Sequence, residues 1–442
     1  MLDIKFIREN IELVRQAIEE KNEKVDLDKI VELDNNRRQL IQESDLIRQR
    51  KKKISQQVAE LRRMGNDSPE SAGTLSPPTP TPDKSGEKDK TNKYLCSHLL
   101  AKLVEDSKSL SDKEKEIVNS LTQIEAELHN LLIWIPNIAH PSVPRGQSKI
   151  VKEWGGERQF NFQPITADEL CNTLGIVDFT LGSKVAGSSF PCYKGLGARV
   201  ERALINFMLD LHIKQGYTEI CTPFVVNRTS MFGTAQLPKM EQEMYVCEKE
   251  DLFLNPTTEV ALINVHSGDI FKEQDLPINY TGYSASFRRE AGSYGRETKG
   301  LKRVHQFNEV ELIKFTKPDE SYTEIEKMVS DAEVVLQLLG LSYRIVLLSA
   351  QEMSFASAKT YDIEVWAPAS KEWLEVSSCS NCEDFQARRA GIKFRQKGSS
   401  QFVHILNGTG LATPRTFIAL VEQYQEKDGT ISIPQALIPY IR

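Results

Sequence analysis

The sequence predicts an α+β protein in which an antiparallel sheet flanked by helices is preceded by an antiparallel α-helical coiled-coil arm. Three observations predict it. Apolar residues recur every seven positions in two N-terminal runs that a polar stretch separates. From about residue 150 onward, strand-like and helical segments mix without the regular alternation of a βαβ protein, and neither GxGxxG nor GxxxxGK[ST] occurs. Within that region, residues 286–312 read as two strands joined by a charged loop.

Taken in order, residues 4–20 carry Ile7, Ile11, Val14 and Ile18 at helical spacing and predict one short amphipathic helix. From Asp28 to Met64 the heptad positions are Leu33, Leu40, Ile47, Ile54 and Leu61; from Leu95 to Leu132 they are Leu103, Leu110, Ile117, Ile124 and Leu131. Two runs of similar length fold back on one another as a hairpin about 55 Å long at 1.5 Å per residue. An isolated coiled coil commonly dimerises or scaffolds, but a chain that returns on itself satisfies its own seam. The far half of the first run carries Arg48, Arg50, Lys51, Lys52, Lys53, Arg62 and Arg63. Such a run is often only a solvated face; near the tip of a long arm it can also grip a phosphate backbone. The Pro-, Ser- and Thr-rich stretch 65–93 reads as a disordered insertion at that tip. Pro136, Pro141, Pro144 and Gly146 then mark a linker over 136–150, dividing an arm of residues 1–135 from a globular domain of residues 151–442. In that domain, amphipathic helices are expected near 195–214 and 320–339, and a strand over 301–316.

With 442 residues the chain has length for two or three domains and a large core. A net charge of −6 excludes a global positive field, so a nucleic-acid partner must be held by local basic patches. The seven cysteines, an odd number spread through the chain, are expected to be reduced thiols of a cytoplasmic protein without disulfides. The start MLDIKFIREN has neither a secretory nor a transit-peptide pattern, and no segment reaches the roughly 18 apolar residues of a membrane span, so no membrane partner is expected.

The chemistry concentrates in residues 286–312. In extended structure Arg288 and Glu290 share a face, as do Arg303, Phe307 and Glu311 on the return strand. Gly292, Gly295 and Gly300 give the intervening loop freedom, and it carries Arg296, Glu297 and Lys299. An ordinary solvated hairpin with cross-strand ion pairs is the plainer reading. This set, however, combines forked arginine donors for phosphate, a carboxylate for an exocyclic amine and a flat apolar ring for a base, which together suit a nucleoside triphosphate. Near the C-terminus, Thr413 is expected as a helix N-cap, Pro414 as the first helical residue, and Arg415 in the first turn. A cation there opposes the helix dipole, a conflict that a bound anion resolves. Cys379 and Cys382, a single C-x-x-C, are expected to be structural thiols, and His305 a structural histidine.

The segment FRREAGSYGRETKGLKRVHQF closely resembles motif 2 of class II aminoacyl-tRNA synthetases, and the seryl-tRNA synthetase version in particular. GYTEICTPFVV, with Pro223, resembles motif 1, which in the family forms the homodimer interface; VHILNGTGLATPRTFIALVEQYQ resembles motif 3. The resemblance implies a class II catalytic domain with ATP and Mg2+ as cofactors. It assigns ATP binding to Arg288, Arg289, Glu290, Arg303, Val304, Phe307, Glu375, Val376, Ser377, Ser378 and Arg415. Glu375 and Ser378 would hold the metal, and Arg288 and Arg415 are the expected catalytic arginines. Thr257, Thr258 and Glu259 resemble the serine-binding Thr-x-Glu element, although its middle residue is usually alanine; Glu311, Asn407 and Thr409 complete the amino-acid site. The expected activity is serine–tRNA ligation, with the arm reaching tRNA(Ser) and, where the host has one, tRNA(Sec); DNA is not an expected partner. Two rivals share parts of the pattern, an amino-acid:carrier-protein ligase and a catalytically silent RNA-binding or scaffold paralogue.

Overall fold

The computed structural model describes residues 1–66, 85–156, 158–291 and 300–441, with side chains outside 64–66 and 85–94. Loop residues Gly292, Gly295, Arg296, Glu297 and Lys299 lie outside the described residues, as does residues 67–84 of the expected insertion. The chain forms two compact units: Met1–Val25 with Ile133–Arg442, and Asp26–Leu132. The first twenty-five residues therefore pack with the sheet-bearing unit and not with the arm, where the sequence groups them.

The arm consists of helices α3 (Leu27–Asn66) and α4 (Ser85–Leu132), following α1 (Ile4–Glu9) and α2 (Ile11–Glu20) of the other unit. Because α4 begins at Ser85, residues 85–93 are helical and not irregular. The heptad residues Leu33, Ile47 and Ile117 are buried, while Leu40, Ile54, Leu61, Leu103, Leu110 and Ile124 are half-buried, as a narrow two-helix seam requires. Across the hairpin, Glu114 receives Lys51 Nζ at 2.8 Å and Arg48 Nε at 3.0 Å, and these hydrogen bonds hold its carboxyl below the usual range. Arg48 and Lys51 thus help to close the arm, whereas Arg50, Lys52, Lys53, Arg62 and Arg63 are exposed.

The single helix expected over 4–20 is two, broken at Asn10, whose φ of −133° and ψ of 46° are not helical. Asn10 Nδ2 donates to Phe6 O at 3.0 Å, the local backbone competition that makes asparagine a poor helix-interior residue.

The other unit is built on an eight-stranded sheet: β1 (Lys149–Trp154), β2 (Thr218–Glu219), β3 (Ile278–Phe287), β4 (Gln306–Thr316), β5 (Tyr343–Leu347), β6 (Lys359–Ala367), β7 (Glu372–Asn381) and β8 (His404–Ala412). Their order is β1-β5-β6-β7-β8-β4-β3-β2, antiparallel except where Thr218–Glu219 runs parallel to β3. Helices α5 (Leu196–Lys214), α6 (Thr258–Asn264), α7 (Ser321–Leu339), α8 (Phe385–Ala390) and α9 (Thr413–Gln423) complete the frame. β4 starts at Gln306 and not at 301, because Gly300–Lys302 turns as a 3-10 helix.

Strand alternation, interrupted on β8 by a bulge at Gly410, separates core from site. Val310, Leu312, Leu374, Leu406 and Leu411 join Leu204, Met208, Met328, Leu336, Phe417 and Leu420 of α5, α7 and α9 in one core. Burying each such side chain fully contributes about 1.5–3 kcal/mol. The intervening residues Glu309, Glu311, Glu375, Asn407 and Thr409 border a cavity instead. Gly408 and Gly410 flank Thr409 because a Cβ on Gly408 would meet Cys379 Sγ and Met328 Sδ at 2.8 Å, and one on Gly410 would meet His212 Nε2 at 2.6 Å.

The expected linker 136–150 is docked, not loose. Asn137 N donates to Phe355 O at 2.9 Å and His140 N to Ala358 O at 2.8 Å, and Ile135, Ala139 and Val143 are buried. All seven cysteines are free, with Cys379 and Cys382 buried. Among the described residues, no helix is long and apolar enough to cross a membrane.

Candidate active site

The cavity has a volume of about 800 Å³ and is bordered by β4, β7, β8, the segment just past β3, α8 and the first turns of α6 and α9. Its side chains fall into a buried acidic group and a more exposed group rich in arginine.

The acidic group starts at α6. Thr257 caps that helix, its Oγ1 accepting from Glu259 N at 3.2 Å, and this points Glu259 into the cavity from the first turn. Gln386 Nε2 of α8 donates to Glu259 Oε1 at 2.6 Å. Burial, reinforced by the charge of Glu309, raises the Glu259 carboxyl to about 7 despite that hydrogen bond. Glu309 and Glu311 lie two apart on β4 and so share its face. Glu309 Oε1 accepts from Thr258 N at 2.8 Å and Ser286 Oγ at 3.0 Å. Glu311 lies opposite Thr409 on β8, and its Oε2 is buried without a partner. Burial first, then Glu309 and Glu259, push Glu311 well above the usual carboxylate range. Two buried carboxyls, a half-buried third and an orphaned oxygen make a receptor for a small cationic group.

Thr258 does not face the cavity. Its buried Oγ1 lies 2.7 Å from Ser284 Oγ, which also accepts from Asn255 Nδ2 at 3.0 Å. Asn407 borders the cavity with its Nδ2 3.4 Å from Gln386 Oε1, so the amide ties β8 to α8.

The exposed group is assembled differently from what strand alternation predicts. β3 ends at Phe287, so Arg288 and Glu290 lie past the strand, and Arg303 precedes β4. Glu290 has a φ of +51°, in the left-handed region, and Glu243 holds this segment by accepting from Arg289 N and Ala291 N, each at 2.8 Å. Arg288 nevertheless reaches the cavity: its Nε donates to Pro256 O at 3.1 Å and its guanidinium lies 5.2 Å from the Phe307 ring centre. Arg303 is ion-paired with Glu290. Arg415 is paired with Glu375 at 3.3 Å and also donates to Glu375 O at 2.9 Å.

Thr413 is not the N-cap of α9. Helix α9 begins with it, Ala412 is the cap, and the Thr413 hydroxyl donates to the buried Glu201 of α5 and to Asn308 O at 3.1 Å. The neighbouring carboxylate outcompetes local capping, while Arg415 keeps its place in the first turn. Val304 and Val376 border the cavity with mostly buried side chains. Ser377 turns away and donates to Thr409 O at 2.5 Å, and Arg289 is engaged through its backbone, so neither side chain is brought to the cavity wall. Ser378 does border it, opposite Asp362 on β6. Burial and the charge of Glu375 raise Asp362 to about 7. Glu309, Gln386, Glu243 and Asp362 were not marked by sequence motif. Glu309 could have been found from its two-residue spacing to Glu311; the others come from elements whose proximity only the fold creates.

An antiparallel sheet flanked by helices, with a cleft of mixed charge bordered by its central strands, is the architecture of class II aminoacyl-tRNA synthetases. Residues 242–424 match the tRNA synthetase class II core domain (G, H, P, S and T), and residues 1–75 match the seryl-tRNA synthetase N-terminal domain. The chain is 48% identical to the serine–tRNA ligase of Caldanaerobacter subterraneus subsp. tengcongensis, covering 100% of this chain and 98% of that protein. The crystal structure of seryl-tRNA synthetase from Pyrococcus horikoshii complexed with ATP superposes with a TM-score of 0.87 at 32% identity, covering 100% of this chain and 98% of that one. The cytoplasmic serine–tRNA ligase from Naegleria fowleri in complex with AMP gives 0.83 at 32% identity, with 100% and 97% covered. The chain belongs to the seryl-tRNA synthetase family and is an ATP-dependent aminoacyl-tRNA ligase.

Proposed function

We propose that this enzyme activates L-serine with ATP and transfers it to tRNA(Ser), and to tRNA(Sec) where the host has one, working in the cytoplasm as a homodimer whose interface includes the segment around Pro223. The supporting observation is the division of one cavity into an arginine-rich group and a buried acidic group, which fits a triphosphate joined in line to an amino acid.

In this reading the serine carboxylate attacks the α-phosphorus of ATP, giving seryl-adenylate and pyrophosphate. Arg288 stabilises charge on the α-phosphate, and Arg303 and Arg415 hold the leaving phosphates. Phe307 stacks on adenine, and Glu290 accepts from its amine. Glu259 and Glu311 take the serine ammonium, and Thr257, Asn407 and Thr409 supply polar partners for the rest of the amino acid. A pocket that hydrogen-bonds the substrate hydroxyl rejects alanine, because that partner would be left unpaired. Catalysis of this kind is positioning and electrostatics, without a dedicated nucleophile. The Glu375 carboxylate and Ser378 hydroxyl, beside Asp362, form an all-oxygen set that suits Mg2+, which when bound would neutralise phosphate charge. The exposed Arg50, Lys52, Lys53, Arg62 and Arg63 of α3 suit the tRNA backbone, so their binding should weaken with salt.

Serine-dependent ATP–pyrophosphate exchange followed by charging of purified tRNA(Ser) tests the whole reading. Both activities are expected. No exchange would favour a silent scaffold, and exchange without charging would favour a carrier-protein ligase.

A further inference from the structure

Lys21, at the C-terminal end of α2, is buried although it carries a flexible, strongly hydrated cation. Its Nζ donates to Ser357 O at 2.6 Å, Ser354 O at 2.8 Å and Phe355 O at 3.4 Å, one acceptor for each ammonium hydrogen. Asn137 binds the same run: its N also donates to Phe355 O, at 2.9 Å, and its Nδ2 to Ala356 O, the one carbonyl Lys21 leaves, at 2.9 Å. Every backbone carbonyl of residues 354–357 is therefore claimed by one of two residues far away in the chain. A second grip lies beside the first, where Glu23 is ion-paired with Lys239, whose Nζ sits 5.2 Å from the Phe355 ring centre.

The gripped run is a wall of the cavity: Ser354, Phe355 and Ala356 all border it. It belongs to the acidic side. Asn137 Nδ2 also donates to Cys382 O at 3.0 Å, Asn407 Nδ2 lies 3.4 Å from Cys382 Sγ, and Asn407 leads through Gln386 to Glu259. The chain's N-terminal segment thus braces the part of the cavity assigned above to the amino acid.

We propose that Lys21 is a positioning residue that holds the 354–357 wall against the amino-acid pocket and so sets the size of amino acid the enzyme accepts, an inference that rests on the serine-activation reading. A wall released from its three acceptors can retreat, weakening contact with serine and making room for the extra methyl of threonine. One methyl in a pocket is worth about tenfold or more in discrimination, so the effect is measurable. The arginine group touches none of these bonds, so ATP binding should be spared.

Pyrophosphate exchange with serine and with threonine, on the full chain, separates the outcomes. Lys21→Met keeps the apolar stem and removes the ammonium. It is expected to raise the serine KM about tenfold, leave kcat within about threefold and the ATP KM unchanged, and lower the serine-over-threonine ratio of kcat/KM about tenfold. A folded variant with unchanged serine KM and threonine rejection overturns the proposal, as does an equal loss in kcat and both KM values, which marks general destabilisation. Should Lys21→Met fail to fold, Asn137→Ala frees Ala356 O, the neighbouring carbonyl of the same wall, and must give the same serine-selective pattern; an unchanged serine KM and threonine rejection in that variant overturns the proposal. A wild type inert with serine overturns the substrate reading itself, a result distinct from either variant outcome.

Discussion

The arginine-bearing and acidic groups of the cavity are built on opposite principles. For Arg303 and Arg415, charge is compensated by partners that are themselves accessible: side-chain exposure is 47% for Arg303 and 18% for Glu290, and 36% for Arg415 and 46% for Glu375. Ion pairs this exposed contribute about 0–1 kcal/mol, so a triphosphate can replace the carboxylates at little cost. The acidic residues have no such exchange available. Glu259, Glu309 and Glu311 are held by Gln386, by the backbone of α6 and by strand geometry, and Glu311 retains an orphaned oxygen. A flexible nucleotide with several charges is met by exchangeable charge, whereas a small amino acid is met by fixed geometry, where discrimination resides.

The largest expected effect tests whether the arginine group carries the chemistry. Arg288→Ala should lower kcat for pyrophosphate exchange by about 10²–10³-fold or more while circular dichroism stays native, and unchanged exchange would remove Arg288 from its assigned role. Next, Glu259→Gln should raise the serine KM by about 30-fold or more with the ATP KM unchanged, because a buried charge partner of the ammonium is lost. An equal rise in both constants would dissolve the distinction between the two groups. A pH series sharpens the same point. Glu259 titrates at about 7, above the ordinary range, so it is largely protonated at pH 6 and ionised at pH 8. Serine KM should therefore fall as pH rises through 7, and Glu259→Gln should lose that pH dependence. The smallest effect belongs to Thr258→Ala. Its hydroxyl bonds Ser284 away from the cavity, so serine KM should stay within about twofold, and thermal unfolding should show a cost of about 1 kcal/mol.

Comparison of particular elements shows how much was legible in advance. The heptads of α3 and α4, the helices near 195–214 and 320–339, and the antiparallel sheet follow from local periodicity, and the structure contains them. The motif residues Arg288, Phe307, Glu311, Glu375 and Arg415 do meet at one cavity. Arg288 and Arg303 reach the cavity by a route that alternation does not predict, because alternation applies only inside a strand and both lie beyond strand ends. The helix break at Asn10, the diversion of Thr413 to Glu201 and the docking of residues 136–150 depend on particular partners and have no periodic signature. Gln386 and Lys21 have no sequence signature for the same reason: an isolated glutamine or lysine carries no meaning until a distant segment supplies its acceptor.

By itself the sequence determined the secondary elements, the family and the residue types able to handle a nucleotide, since periodicity and short motifs are properties of neighbours along the chain. Tertiary structure alone decided which carboxyls are buried, which arginines are paired and which remote lysine braces the pocket. Burial and charge coupling are set by distances through space, and those exist only once the sheet has brought its strands together.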